Sequence, residues 1–220
     1  MSLPQDVESV VFDCDGLLVD TETCWTRAET KIFAEHGHAF GLEQKKLLIG
    51  KTLEDGAAAM AAYFGRPDEV GAVAKRLHSL VAEELAAGAD ALPGARDLVV
   101  KLHDRVPLAV ASNSPRSFVD AALLSAGLND LFDHIYSADD VENPKPAPDL
   151  YLVACAGLGA DPARSVAFED SRTGVCSARA AGMFVVGVPS LPGVDLETDA
   201  VYTSLADLAL IGWAAEVVGP

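Results

Sequence analysis

The chain has 220 residues, half of them apolar, and a formal charge of −17 with an isoelectric point near 4.5. That length carries one large domain, or one medium domain with a small insert, around a sizeable core. The charge argues against nucleic acid and anionic membrane as partners, since both demand a basic face, and it requires any site for a phosphorylated ligand to bring its own local cations.

In chain order, the β-branched run Val7–Phe12 reads as a buried strand that ends on Asp13-Cys14-Asp15-Gly16. From about Thr21 to Gly88 no strand candidate appears. Glu22–His36, Leu42–Ile49, Leu53–Phe64 and Pro67–Ala87 are expected helices there, separated by Gly37, Gly50 and Gly65. A helical block of this length after the first strand reads as a separate lid, a cap over 21–88 inserted into a core of 1–20 and 89–220. Beyond it the short apolar runs Pro107–Ala111, His134–Ser137, Val166–Phe168 and Val185–Val188 alternate with the expected helices Ala95–Asp104, Pro115–Ala126, Pro148–Gly157 and Thr173–Ala181. Such alternation predicts an α/β fold, a Rossmann-like doubly wound parallel sheet with right-handed crossovers and an all-helical insert.

The apolar stretches Met183–Pro189 and Leu205–Val218, the second broken by Asp207 and Glu216, fall short of the ~20 residues that span a bilayer. Asp6 and Glu8 stand at the start of the first apolar run, unlike the basic start of an export signal, so a cytoplasmic protein is expected. Cys14, Cys24, Cys155 and Cys176 form no CxxC pair and read as reduced thiols.

Four segments carry chemistry. Asp13 and Asp15 lie two apart in an extended segment and so face one point at the carboxyl edge of the sheet, where open α/β folds bind ligands, with Gly16 allowing a sharp turn. Two acids so placed need a metal or a proton between them. Glu169-Asp170 follows another strand, and an oxygen-rich cluster suits Mg²⁺ better than zinc or copper; Asp170 also fits as a cap for the helix near Arg172. Ser112-Asn113-Ser114-Pro115 runs from a strand into a helix opened by proline, an arrangement that serves equally for binding an anion or for helix capping by Ser114. Asn143-Pro144-Lys145-Pro146-Ala147-Pro148 presents Lys145 from a stiff loop, the local cation that the overall charge requires.

In order and spacing, Asp13-x-Asp15-Gly16, Ser112, Lys145 and Glu169-Asp170 resemble the four motifs of the haloacid dehalogenase-like phosphatase superfamily, and the helical block resembles its small cap. The resemblance implies that Asp13 is a nucleophile forming an aspartyl-phosphate and also a Mg²⁺ ligand, and that Asp15 is a general acid and then base with its backbone carbonyl on the metal. It implies phosphate binding by Ser112, Asn113 and Lys145, and a Mg²⁺ shell completed by Asp170 with Glu169 directly or through water. The implied partner is a small phosphorylated metabolite, acted on by a monomer or weak homo-oligomer. The β-phosphoglucomutase branch is similar in Asp13-Cys14-Asp15-Gly16 and Glu169-Asp170-Ser171. Trp25, however, stands where those mutases carry a histidine, and Leu53 near the place of an arginine for a second phosphate. The segment Asp15 to Glu29 is similar instead to sugar and hexitol phosphate phosphatases, including those for 2-deoxyglucose 6-phosphate. A phosphatase for a sugar or hexitol phosphate is therefore expected, ahead of a phosphoglucomutase-like phosphotransferase and of a non-catalytic phosphometabolite-binding protein. Trp25 and Lys51 are candidate substrate contacts, although a tryptophan in the first helix serves equally as core. His36, His38, His78 and Trp213 lack ligand spacing and read as structural or surface residues.

Overall fold

The computed structural model describes residues 3–190 and 195–219. Six strands among them, β1 (Ser9–Phe12), β2 (Leu108–Ala111), β3 (His134–Tyr136), β4 (Ser165–Glu169), β5 (Phe184–Gly187) and β6 (Ala200–Val201), form one parallel sheet in the order β3-β2-β1-β4-β5-β6. Val10 of β1 pairs with Leu108 on one side and Val166 on the other, so β1 is central and its four residues are all buried. The strand order reverses between β1 and β4, and the crevice beyond their carboxyl ends is where such sheets bind ligands.

Because successive side chains alternate across a pleated strand, β1 sends Val10 and Phe12 to one face and Val11 to the other. Phe12 stacks on Phe168 of β4 at 4.9 Å between ring centroids, in the larger core cluster. Each such ring stabilises the fold by about 1.5–3 kcal/mol through the apolar area it removes from water. On the opposite face Val11, Ala109, Ala111 and Ala167 pack beneath α7 (Asp149–Leu158) and α8 (Arg172–Ala180). Alanines there let the helix axes approach the sheet closely. Helices α5 (Ala95–His103), α6 (Arg116–Ala126) and α9 (Leu208–Glu216) complete the layers.

The insert between β1 and β2 is helical, as the sequence predicts: α1 (Thr21–Glu35), α2 (Leu42–Leu48), α3 (Leu53–Tyr63) and α4 (Val70–Ala86). Asp20 caps α1 by accepting from the Thr23 N–H, and Thr52 caps α3 by accepting from the Asp55 N–H. Pro67–Glu69 forms a 3₁₀ turn, so the helix expected from Pro67 begins at Val70 and buries the stripe Val73, Leu77, Leu80, Val81 and Leu85. The chain enters and leaves the insert through adjacent strands of backbone, with the Asp20 N–H donating to the Asp90 carbonyl at 2.9 Å.

Two elements were not anticipated. β6 contributes only two residues at the sheet edge, too few for alternation to register, and α9 lies in the apolar stretch Leu205–Val218. Buried on α9, Trp213 donates its indole N–H to the Pro4 carbonyl at 2.6 Å. Cys14, Cys24 and Cys155 are buried thiols and Cys176 is an exposed one. Among the described residues no helix is long and apolar enough to cross a membrane.

Candidate active site

The carboxyl ends of β1, β2 and β4 and the loop before α7 converge on one point. After β1 the chain turns at Gly16, whose φ is +76°; a Cβ there would lie 2.7 Å from the Asp170 Oδ2 atom. Glycine is therefore required both by the backbone and by the neighbouring carboxylate. The turn leaves Asp13 buried beside Lys145, whose Nζ donates to Asp13 Oδ1 at 2.7 Å and to Glu169 Oε1 at 2.6 Å. The Lys145 side chain is 3% exposed and that of Glu169 0%, so these charges interact with little screening by water.

Glu169 is the anchor of the group. Its Oε1 also accepts from the Tyr151 hydroxyl at 2.6 Å, and its Oε2 accepts from the Asp170 N–H at 3.2 Å and the Ser171 hydroxyl at 3.4 Å. Gly174 of α8 leaves the space for this carboxylate, because a Cβ there would lie 1.8–2.0 Å from its three carboxyl atoms. Ser171, not Asp170, caps α8 by accepting from the Gly174 N–H, which leaves Asp170 free for the crevice.

Asp15 points its carboxylate at two hydroxyls: Ser112 donates to Oδ2 at 2.8 Å and Thr21, the first residue of α1, donates to Oδ1 at 2.7 Å. The Ser112 oxygen in turn accepts from the Ser114 N–H at 3.0 Å. Asn113 spends its side chain on structure. Its Oδ1 accepts from the Lys145 N–H at 2.9 Å, while its Nδ2 donates to the Lys145 carbonyl at 2.9 Å and to the Gly50 carbonyl of the insert at 3.2 Å. Pro115 occupies the cap position of α6 without a side-chain cap, so the capping role open to Ser114 is not used.

Burial sets the protonation of this site. It pushes the Asp13 carboxyl up to about 8; Lys145 opposes the shift, while Glu169 and Asp15 add to it. Asp170 is raised well above the usual carboxylate range by burial and then by Asp13 and Glu169. Burial alone would discharge Lys145, but Asp13 and Glu169 outweigh it and hold the ammonium firmly protonated. Burial and the Glu169 charge likewise keep Tyr151 a neutral phenol.

Asp13, Glu169 and Asp170 each offer a carboxylate oxygen within 4.8 Å of the others, so the group fits a divalent cation. All three donors are hard oxygens, the set that Mg²⁺ prefers. A cation would offset the burial and the neighbouring negative charge that now raise Asp13 and Asp170. With both its oxygens already accepting from protein donors, Glu169 stands at the edge of such a shell, and its first task is to hold Lys145.

The insert closes over this group. Gly50, with a φ of +73°, sits so close to α8 that a Cβ would lie 3.2 Å from Ser171 and Thr173 side-chain atoms. Between insert and sheet remains a cavity of about 60 Å³ lined by Asp13, Asp15, Lys145 and Asp170 below and by Trp25 and Lys51 above. Trp25 both faces this space and packs edge-on against Phe118 at 5.9 Å, and Lys51 is exposed at the mouth. His36 and His38 stack on Phe64 and His78 tilts against Phe118, so all three serve packing.

Reasoning from the sequence did not single out Tyr151, Thr21, Gly174, Glu22, Glu29 or Lys45. Gly174 carried a signal, since a glycine inside a helical pattern marks a close approach. Thr21, Glu22 and Glu29 lie in the segment Asp15 to Glu29 that resembles sugar and hexitol phosphate phosphatases, but nothing there marks a role for each; Tyr151 and Lys45 carried no signal, their place being set only by the fold.

The chain is similar to known proteins along most of its length. Residues 10–188 match the model of the haloacid dehalogenase-like hydrolase family. The validoxylamine A 7′-phosphate phosphatase of Streptomyces hygroscopicus subsp. limoneus is 31% identical over 92% of this chain and 95% of its own. Hexitol phosphatase B of Escherichia coli is 34% identical over 86% of this chain and 87% of its own. The crystal structure of CbbY from Rhodobacter sphaeroides in complex with phosphate superimposes with a TM-score of 0.80 at 26% identity, covering 94% of this chain and 99% of that one. With the matched region running from β1 to just past β5, and with relatives similar along nearly their whole length, the chain belongs to the haloacid dehalogenase-like hydrolase family.

Proposed function

We propose that the chain is a Mg²⁺-dependent phosphatase that hydrolyses a small phosphorylated metabolite, a sugar or hexitol phosphate, through an aspartyl-phosphate on Asp13. The observation that carries this reading is the buried convergence of Asp13, Lys145, Glu169 and Asp170 at the crevice of the sheet. The names of the relatives support the same class of reaction.

A carboxylate approaching a phosphate dianion at about 4 Å faces roughly 8 kcal/mol of repulsion at an effective dielectric near 20. Lys145 offsets part of it while fixing the orientation of Asp13. Bound at Asp13, Asp170 and the Asp15 carbonyl, with Glu169 near or in the shell, Mg²⁺ would supply the remaining positive charge and polarise the phosphoryl oxygens. An Asp13 oxygen attacks phosphorus as the bond to the leaving oxygen breaks, and Asp15 delivers a proton to that oxygen. Water then attacks the aspartyl-phosphate, Asp15 takes its proton, and phosphate leaves with Asp13 restored. Ser112 and the Asn113 N–H hold phosphoryl oxygens, and Trp25 and Lys51 meet the leaving group.

In this reading 21–88 is a cap that swings on hinges near Asp20 and Gly88 over a core of 1–20 and 89–220. A cavity of about 60 Å³ holds only a few waters, so substrate enters when the Gly50 loop lifts away from α8. Leu53, buried in the insert, offers nothing to a second phosphate, which favours hydrolysis over a mutase cycle. Four free thiols suit a cytoplasmic location.

A panel of sugar and hexitol phosphates, assayed for free phosphate with Mg²⁺ and with EDTA, tests the reading. Phosphate release should require the metal and vanish in Asp13→Asn with the melting temperature preserved. Interconversion of hexose 1- and 6-phosphates without net release would establish the mutase reading instead, and substantial turnover by Asp13→Asn would remove the covalent route.

A further inference from the structure

Above the phosphate crevice the insert carries a second charged group with no part in the chemistry so far. Glu22 and Glu29 lie seven residues apart on α1, two helical turns, and so share a face. Lys45 of α2 reaches between them, with Nζ hydrogen-bonded to Glu29 Oε2 at 2.9 Å and 2.8 Å from Glu22 Oε2. The Glu22 contact lies outside hydrogen-bond alignment, which leaves that buried oxygen without an aligned donor. The Lys45 and Glu29 side chains are only 9% and 4% exposed, and all three line the same cavity as Asp13, Lys145 and Asp170.

An ion pair that only joined two helices would gain little from this position, since well-packed apolar side chains hold helices together at least as well without desolvating charge. The placement makes sense if something polar enters the cavity. Two carboxylates against one ammonium leave the inner wall with a net negative charge, which repels a carboxylate or a second phosphate. The same groups suit hydroxyls. The Glu22 carboxylate accepts a hydroxyl hydrogen, and the Lys45 ammonium, with three donors and one aligned partner in Glu29, keeps donors for hydroxyl oxygens. Trp25, Leu48, Met60 and Leu77 form the apolar remainder of the wall, a surface for the C–H face of a carbon skeleton.

From this juxtaposition we infer that Glu22, Glu29 and Lys45 form the subsite that reads the leaving group, and that they select an uncharged polyhydroxylated one over a carboxylated one. The inference rests on the phosphatase reading above. The test compares kcat/KM for a hexitol phosphate, 2-phosphoglycolate and p-nitrophenyl phosphate, with Mg²⁺, in wild type, Glu22→Gln, and the paired variant Glu29→Gln/Lys45→Met, which removes both charges of the more deeply buried pair together. Wild type should favour the hexitol phosphate over 2-phosphoglycolate by about tenfold or more, and each variant should lose about tenfold to a hundredfold more on the hexitol phosphate than on p-nitrophenyl phosphate, the scale of one hydrogen bond to a charged group. Parallel losses on both substrates at preserved melting temperature, unchanged hexitol phosphate hydrolysis, or a wild-type preference for 2-phosphoglycolate would each overturn it. Glu22→Gln keeps the experiment decisive if the buried pair proves necessary for folding, because Glu22 is partly exposed. A wild type that releases phosphate from none of the three overturns the phosphatase reading and the subsite with it. One that hydrolyses p-nitrophenyl phosphate without hexitol preference overturns the subsite alone.

Discussion

Replacing Gly174 by alanine isolates the anchoring of Glu169. By helix propensity the change should stabilise α8 by up to about 1 kcal/mol, because alanine loses less backbone freedom than glycine. The structure predicts the opposite sign. A Cβ at 174 would lie 1.8–2.0 Å from the Glu169 carboxylate, which is fully buried and held by Lys145, Tyr151, the Asp170 N–H and Ser171. To relieve the clash the carboxylate must move and surrender at least one charged hydrogen bond, worth about 1.5–3 kcal/mol, on top of about 1–3 kcal/mol for overpacking. The expected loss is therefore about 3–5 kcal/mol, which at about 2–4 °C per kcal/mol for a chain this size lowers Tm by roughly 10 °C. Gly212→Ala in α9, where nothing lies within 4 Å of the added Cβ, is the matched control and should leave Tm unchanged or raise it. Thermal melts by circular dichroism in EDTA and in Mg²⁺ decide the matter, with phosphatase activity as the second readout. Gly174→Ala behaving like Gly212→Ala would refute the claim that Glu169 is immobile.

Lys145→Met removes the cation from between two buried carboxylates 2.7 and 2.6 Å away. Leaving the buried Glu169 carboxylate without this partner should cost about 3–5 kcal/mol and abolish activity, and a metal-free melting temperature equal to wild type would show that Lys145 does not hold that carboxylate. The metal-free protein should also lose stability with rising pH. Burial pushes Asp13 up to about 8 in the folded state, far above an ordinary carboxylate, and raises Asp170 as well, so the folded state binds those protons more tightly than the unfolded chain does. That contribution is complete below about pH 4 and disappears as pH passes through about 8. Melts in EDTA should therefore fall between pH 6 and 9, and Mg²⁺, by replacing the protons, should remove the slope; a flat profile in EDTA would contradict the assignment.

How much of this was legible before folding depends on where each signal is stored. The parallel strands and the helical insert announce themselves because hydrophobic period is local, and Gly37, Gly50 and Gly65 do adopt the positive φ that ends or links helices. The acids and Lys145 were visible because unusual local company surrounds them: a carboxylate pair ending an apolar strand, and a lysine among prolines. Tyr151 had no such company. Its importance arises only when α7 packs beneath the sheet and aims its hydroxyl at Glu169. Asn113 is an intermediate case. Its place beside the crevice was legible, but its side-chain bonds to the Lys145 loop and the Gly50 carbonyl join segments separated by 32 and 63 residues.

The charge of the chain and the charge of the site obey different rules. Among the described residues Lys145 is the one cation paired with the Asp13, Asp15, Glu169 and Asp170 group, so the bare crevice would hold three more negative than positive charges. Burial resists that state by retaining protons on Asp13 and Asp170, and a divalent ion that displaces them leaves the crevice near neutrality before any phosphate arrives. Lys145 is divided between Asp13 and Glu169, which limits what it can give to an incoming dianion. In the proposed reading neutral donors supply the balance: the Asn113 N–H, and the Ser112 hydroxyl once it turns from Asp15, to which it donates here. A protein carrying −17 thus repels anions in general, and in the proposed reading it admits one where a cation, a lysine and oriented N–H groups coincide. Under that reading selectivity for phosphate comes from short-range geometry, because the long-range field opposes every anion alike.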